Sequence, residues 1–255
     1  MYLKNKIRKY IQTHLVNHAV VGQYLSNASI VFRGSTQLGV NDEFCDWDLE
    51  FLLPSFIFID FAKKYGRSYV LIDKKHNPEV FMVVRPHQWL KSKFTKNPIV
   101  WSWNYQELLI VKDPGNVCRN IIISGIERFQ KELKRLTWEK YIEFRAHRHD
   151  LKASSARNLV ISSSLIRAAM VKSFLEFVLL SHGRPYPHKK WLATVVKKEI
   201  DNEGMIVGLC QNFLTTFKKE DVETLDTKLL NLAMLFGEQS GFERKKLETW
   251  WCYLS

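Results

Sequence analysis

The chain reads as an α+β protein: an N-terminal mixed sheet with helices, followed by an all-α helical bundle. Three observations predict it. Short β-branched, aromatic and apolar runs, bounded by Gly and Pro, crowd the part before Asp113. Apolar residues at three- and four-residue spacing dominate the part after it. Between them, Asp113-Pro114-Gly115 is the clearest punctuation in the chain. The expected division is a first domain over 1–114 and a second over 115–255.

Each element follows from its local pattern. Leu3, Ile7, Ile11, Leu15 and Val16 predict an amphipathic helix within 3–24, with lysines outward. Ile30-Val31-Phe32 suits a buried strand over Ser29–Arg33. The Gly34-Ser35 turn and a connection over 36–45 lead to a strand over 47–53, which Pro54 ends. Residues 55–66 suit a helix with Gly66 at its C-cap. Ser68–Asp73 and Glu79–Arg85 flank the breaker Lys74-Lys75-His76-Asn77-Pro78 and predict a hairpin. Residues 87–112 hold a helix or loop and an apolar strand over Glu107–Val111, with Trp89, Trp101 and Trp103 as packing residues.

Beyond the break, the spacing predicts helices over 117–135, 137–150 and 155–181, the last ended by Gly183 and Pro185. Further helices are expected over 188–202, 205–218, 220–236 and 239–254. No internal repeat or low-complexity tract is present.

Composition bounds the function. With 46% hydrophobic residues among 255, a core can form and the composition argues against disorder. A net charge of +12 attracts anions, whether nucleotides, nucleic acid or an acidic surface; a solvated lysine-rich surface is the plain alternative. Cys45, Cys118, Cys210 and Cys252 are far apart with no C-x-x-C pair, which predicts reduced thiols and no zinc site. Met1–Tyr10 is basic and lacks the apolar core of a signal peptide. No run of about 18 apolar residues exists, so no membrane span is expected and the expected compartment is the cytoplasm.

The chemistry concentrates in residues 31–53. Asp46 and Asp48 stand two apart where a strand begins, so their carboxylates share one face. Two such carboxylates repel each other, and Mg²⁺ relieves the repulsion because it prefers carboxylate and phosphate oxygens. The Gly34-Ser35 turn offers a backbone that can approach a phosphate. Alone, a Gly-Ser turn is usually structural, and two alternate aspartates are often a solvated strand end. Their order and strand context point to phosphoryl or nucleotidyl transfer.

This stretch resembles the nucleotidyltransferase superfamily that includes DNA polymerase β and the two-domain bacterial aminoglycoside and lincosamide nucleotidyltransferases. The family pattern is an apolar strand, Gly-Ser, about ten residues, then Asp-x-Asp and another apolar strand. Here it is Ile30-Val31-Phe32-Arg33-Gly34-Ser35, then Asp46-Trp47-Asp48-Leu49-Glu50-Phe51. The likeness covers residues 29–85, and the helical half matches such enzymes only in class and order. It implies Asp46 and Asp48 as ligands of one or two Mg²⁺ ions, with a nucleoside triphosphate, ATP above all, as co-substrate. Gly34 and Ser35 would hold the β- and γ-phosphates.

The resemblance also implies a third carboxylate on a later strand, as metal ligand or general base. Glu79 is the best match, an exposed strand-end glutamate being the plain reading; Asp73 competes with it, and Glu50 shares the alternation of Asp46 and Asp48. It further implies a phosphate-contacting lysine from the helical half. Lys189 or Lys190 fits, in a Tyr-Pro-x-x-Lys-Trp turn like one that follows the long helix in similar two-domain bacterial proteins; a helix cap with surface lysines explains the turn equally well. The acceptor would be a hydroxylated small molecule, with RNA or protein as alternatives, and a non-catalytic binding module remains a third class. The strong positive charge argues against polycationic acceptors such as aminoglycosides.

Other features read as structural. His147 and His149 are two apart on a helix and face different ways, which makes a joint metal site poor. Arg145, Arg148 and Arg157 suit a solvated basic face or anion contacts. Ser162-Ser163-Ser164 suits close packing, and Trp250-Trp251 a core anchor.

Overall fold

The computed structural model describes residues 2–33, 46–106 and 109–254. The α+β architecture is as expected: one five-stranded mixed sheet, then a helical region. Two compact units divide at Met1–Phe129 and Gln130–Ser255.

The first unit opens with α1 (Tyr2–Tyr10), which widens into a π-helical turn over Ile11–Leu15 and stops. The long helix expected over 3–24 is therefore short. Strands β1 (Ser29–Arg33) and β2 (Trp47–Leu53) follow, then α2 (Ser55–Tyr65), closed at Gly66, where φ is +87°. Next come β3 (Val70–Asp73), β4 (Val80–Pro86), α3 (His87–Lys96), α4 (Pro98–Asn104) and β5 (Leu109–Lys112). The stretch read as helix or loop is two helices. Pro98 sits where its missing N–H costs nothing, and the Asn97 side chain accepts from Val100 N at 3.4 Å.

The strand order is β3-β4-β2-β1-β5. β2 and β4 run parallel; every other pair is antiparallel. Both faces are covered. On one, Trp47, Leu49 and Phe51 of β2 and Val80 and Met82 of β4 pack with Tyr10 and Phe61. On the other, Val31 and Leu52 pack with Leu90, Phe94, Tyr105, Cys118 and Ile122.

That second face explains the unit boundary. The Asp113-Pro114-Gly115 break caps a helix and does not separate the units. The Asp113 carboxylate accepts from Cys118 N at 3.1 Å and Arg119 N at 2.9 Å, and from Ser29 Oγ at 2.7 Å. It thereby ties the start of α5 (Val117–Ala156) to the start of β1. The first turns of α5 then belong to the sheet unit. Gly125 makes this approach possible: a Cβ there would lie 2.2 Å from Cδ1 of Phe94.

α5 is a single helix where two are expected. Leu136, at the supposed break, is buried, and Thr137 Oγ1 donates to Leu133 O at 2.8 Å within the helix. In the second unit, α6 (Val160–Ser181) is buried nearly all round from Met170 to Leu180. It packs against α7 (Leu192–Glu199), α8 (Met205–Thr215) and α9 (Lys219–Gln239), and so forms the axis of the bundle. α10 (Arg244–Glu248) and a short 3₁₀ turn close the chain. Cys118 and Cys210 are buried free thiols and Cys252 an exposed one, whereas Cys45 lies outside the described residues. Among the described residues no helix is long and apolar enough to cross a membrane.

Candidate active site

The site is built by the alternation of β2. Trp47, Leu49, Phe51 and Leu53 turn to one core. Asp48, Glu50 and Leu52 therefore turn to the opposite face, and Asp46, next in that alternation, is exposed at the strand's start. Asp48 is half-buried and Glu50 fully buried. Three acidic side chains thus run from solvent into the sheet along one line.

β4 lies beside them. Trp47 is level with Val80 and Asp48 with Phe81. Trp47 N donates to Glu79 O at 2.8 Å. Val80 and Met82 share the core of Trp47, so Phe81 is on the face of Asp48, and Glu79 precedes the strand as Asp46 precedes β2. Glu79 is exposed. The register gives the place abreast of Asp48 to Phe81, one pair deeper than Glu79. Among the described residues no group of three or more His, Cys, Asp or Glu is arranged to hold a metal ion. By the same register Glu79 is level with Asp46, the outer of the two aspartates.

Asp73 is excluded as the third carboxylate by its face. It pairs with Val80 across β3 and β4, on the side of the sheet that carries α1. Tyr10 OH donates to it at 3.1 Å, as do Lys75 N at 3.1 Å and His76 N at 3.3 Å. Burial would raise its pKa, but these hydrogen bonds outweigh burial and lower it. Asp73 fastens the hairpin turn.

Glu50 is a structural partner of the site. Its Oε1 lies 2.7 Å from Nε of Arg33, and Tyr105 OH donates to its Oε2. Burial pushes the Glu50 carboxyl upward, against the pull of the Arg33 guanidinium and the Tyr105 hydroxyl. Burial likewise holds the Tyr105 phenol well above its ordinary value. Arg33, at the end of β1, is directly opposite Asp48 of β2. A cation thus lies between a buried carboxylate and a half-buried one, bracing the inner end of the aspartate pair. Sequence reasoning missed Arg33 and Tyr105. The available signal was Arg33 ending an apolar strand while a glutamate interrupted the next: opposite charges on adjacent strands.

Gly34 and Ser35 lie outside the described residues. Lys189 and Lys190 belong to the second unit, in a 3₁₀ turn over Lys189–Trp191. Both are exposed, and Lys190 Nζ sits 5.2 Å from the centre of the Trp191 ring. The turn is held from below by buried Pro185, Tyr186 and Pro187. Burial pushes the Tyr186 phenol up to about 12, and Lys140 lies 5.7 Å from its ring centre.

The remaining candidates are structural. His147 Nε2 is 3.7 Å from Glu143 Oε1. Arg145, expected on a solvated basic face or at an anion, donates to Tyr141 OH at 2.6 Å and Leu247 O at 3.1 Å. Trp250 is buried, as a core anchor should be, whereas Trp251 is exposed.

No protein-family model matches the chain, and no curated protein sequence matches it. Among solved structures, it is similar to a nucleotidyltransferase-like protein from Exiguobacterium sibiricum 255-15. Identity is 9% and the TM-score 0.48, covering 94% of this chain and 78% of that one.

Proposed function

We propose that this protein is a Mg²⁺-dependent nucleotidyltransferase that moves a nucleoside monophosphate from a triphosphate, ATP above all, to a hydroxyl acceptor. One observation carries the reading: Asp46 and Asp48 follow one another on the same face where β2 begins, beside the start of its parallel neighbour β4.

The donor set fits the ion. Mg²⁺ is usually held by one or two carboxylates, with substrate phosphates and water completing the shell. An exposed and a half-buried aspartate at a strand end meet that requirement without a third ligand. When bound, Mg²⁺ would neutralise charge on the triphosphate and on the departing pyrophosphate.

The chain's own residues do the rest. Asp46 and Asp48 would hold the ion, and Arg33 stands opposite Asp48 on the neighbouring strand. Gly34 and Ser35 would supply amide and hydroxyl donors to phosphate. Glu79 takes the proton from the acceptor hydroxyl. The hydroxyl oxygen bonds to the α-phosphorus, the bond from that phosphorus to the bridging oxygen breaks, and pyrophosphate leaves with the electron pair. The acceptor is a small neutral or anionic molecule.

The test is incubation with Mg²⁺, labelled triphosphates and a panel of acceptors. Pyrophosphate release with label transfer is expected, and full transfer by Asp48→Ala would sink the assignment. Triphosphate binding without release would identify a binding module. The net charge of +12 favours one second reading, RNA as acceptor. Steep loss of RNA binding with added salt would support it.

A further inference from the structure

The helical unit carries a groove of about 790 Å³ that the proposed reaction does not use. Its volume lies within the roughly 300–1,000 Å³ typical of small-molecule sites. The end of α5, the start of α6 and the first turns of α9 line it, with Phe217 on its lip.

Its charge is one-sided. Arg148, Lys152, Arg167 and Lys219 line it, against only Glu223 and Asp226. Asp226 is already matched, its Oδ1 lying 2.9 Å from Nε of Arg148. Arg167 is 6% exposed and donates to the carbonyls of Phe213 and Thr216 and, at 3.4 Å, to Ser164 Oγ, all uncharged groups. Its positive charge is therefore hydrogen-bonded but not neutralised. Lys152 and Lys219 add exposed ammonium groups. Among the described residues this buried cation has only partners without a formal charge, and two more cations line the groove with it, which favours an anion.

The second component is aromatic. Phe217 is 79% exposed, and the Arg167 guanidinium lies 5.5 Å from its ring centre. A ring so exposed beside a cavity is a stacking platform. Leu151, Val160 and Val222 supply apolar wall. The start of α6 also suits an anion, because its first turn contains no acid and no side chain caps it.

We propose that this groove binds a planar ring bearing a phosphate, a nucleoside monophosphate being the simplest example, with the ring on Phe217 and the phosphate among the basic groups. The groove is lined by residues of the second unit alone, and the proposal does not depend on the role of Asp46 and Asp48.

The test is titration calorimetry of the full chain with adenosine monophosphate, inorganic phosphate and adenosine, in EDTA. Wild type binds the monophosphate more tightly than either part. Phe217→Ala weakens the monophosphate about tenfold and leaves phosphate unchanged. Lys152→Ala with Lys219→Ala weakens both anions. These three side chains are exposed, and unchanged circular dichroism and melting would confirm folding. The double variant Asp46→Asn, Asp48→Asn binds as wild type. Absence of monophosphate binding in EDTA, or binding lost in the aspartate variant and kept in the groove variants, would overturn the proposal. So would equal affinity for inorganic phosphate insensitive to Phe217→Ala.

Discussion

The amide of Trp47 donates to the carbonyl of Glu79 at 2.8 Å. This bond joins the residue between the two aspartates to the candidate base at the backbone. The starts of β2 and β4 cannot slide past one another without breaking it, because a one-residue slip would also turn Trp47 out of its core. The separation of Asp46 and Asp48 from Glu79 is thus set by main chain and register.

Asp46→Asn and Asp48→Asn should each lower pyrophosphate release by at least about a hundredfold, since each removes half of the donor pair. Asp46→Asn should change thermal stability little, because the residue is exposed, whereas Asp48→Asn removes a carboxylate charge that acts on Arg33. Glu79→Gln should lower turnover while leaving triphosphate affinity intact. Loss of triphosphate affinity in Glu79→Gln would make it a ligand-binding group instead.

Arg33→Met should destabilise the fold by about 3–5 kcal/mol, because it leaves the buried Glu50 carboxylate without its cation. The loss should depend on pH in a defined direction. Burial already raises the Glu50 pKa, and removing Arg33 raises it further. A carboxyl with a raised folded pKa stabilises the protein below its unfolded value, about 4.3, and that contribution disappears as pH rises through the folded value. Melting temperatures across pH should therefore show Arg33→Met closest to wild type in acid and furthest from it at neutral pH. The double variant Arg33→Met, Glu50→Leu should recover much of the loss.

Gly125→Ala should cost about 1–3 kcal/mol in denaturant unfolding, since the added methyl would meet the Phe94 ring at 2.2 Å. Phe94→Leu in the same chain should recover part of it. Additive losses would show that the ring does not set this approach.

Asp113→Ala should cost about 1–2 kcal/mol, as expected for a lost helix cap. Asp113→Asn should retain part of the stability, keeping one acceptor oxygen. Hydrogen exchange at Cys118 and Arg119 amides would localise the effect.

Much of the first unit was legible because its signals are local. The alternation of Trp47, Leu49, Phe51 and Leu53 assigns Asp48 to the other face with no knowledge of any neighbour. Pro54, Gly66 and Pro86 mark ends that the backbone obeys. The break at Asp113 was legible as a break, but its meaning was not. Only the fold brings Ser29 to Asp113 and turns an apparent linker into a cap.

By itself the sequence determined the α+β class and the pairing of Asp46 with Asp48 on one strand face. Those depend on spacing along one segment. Tertiary structure decided that Phe81 stands abreast of Asp48, that Asp73 looks to the opposite side, and that Glu50 is closed off by Arg33 and Tyr105. It also decided that α5 begins inside the sheet unit. These depend on register and approach between segments distant in the chain, which no local periodicity encodes. A single step of register between β2 and β4 would change which side chain stands beside Asp48.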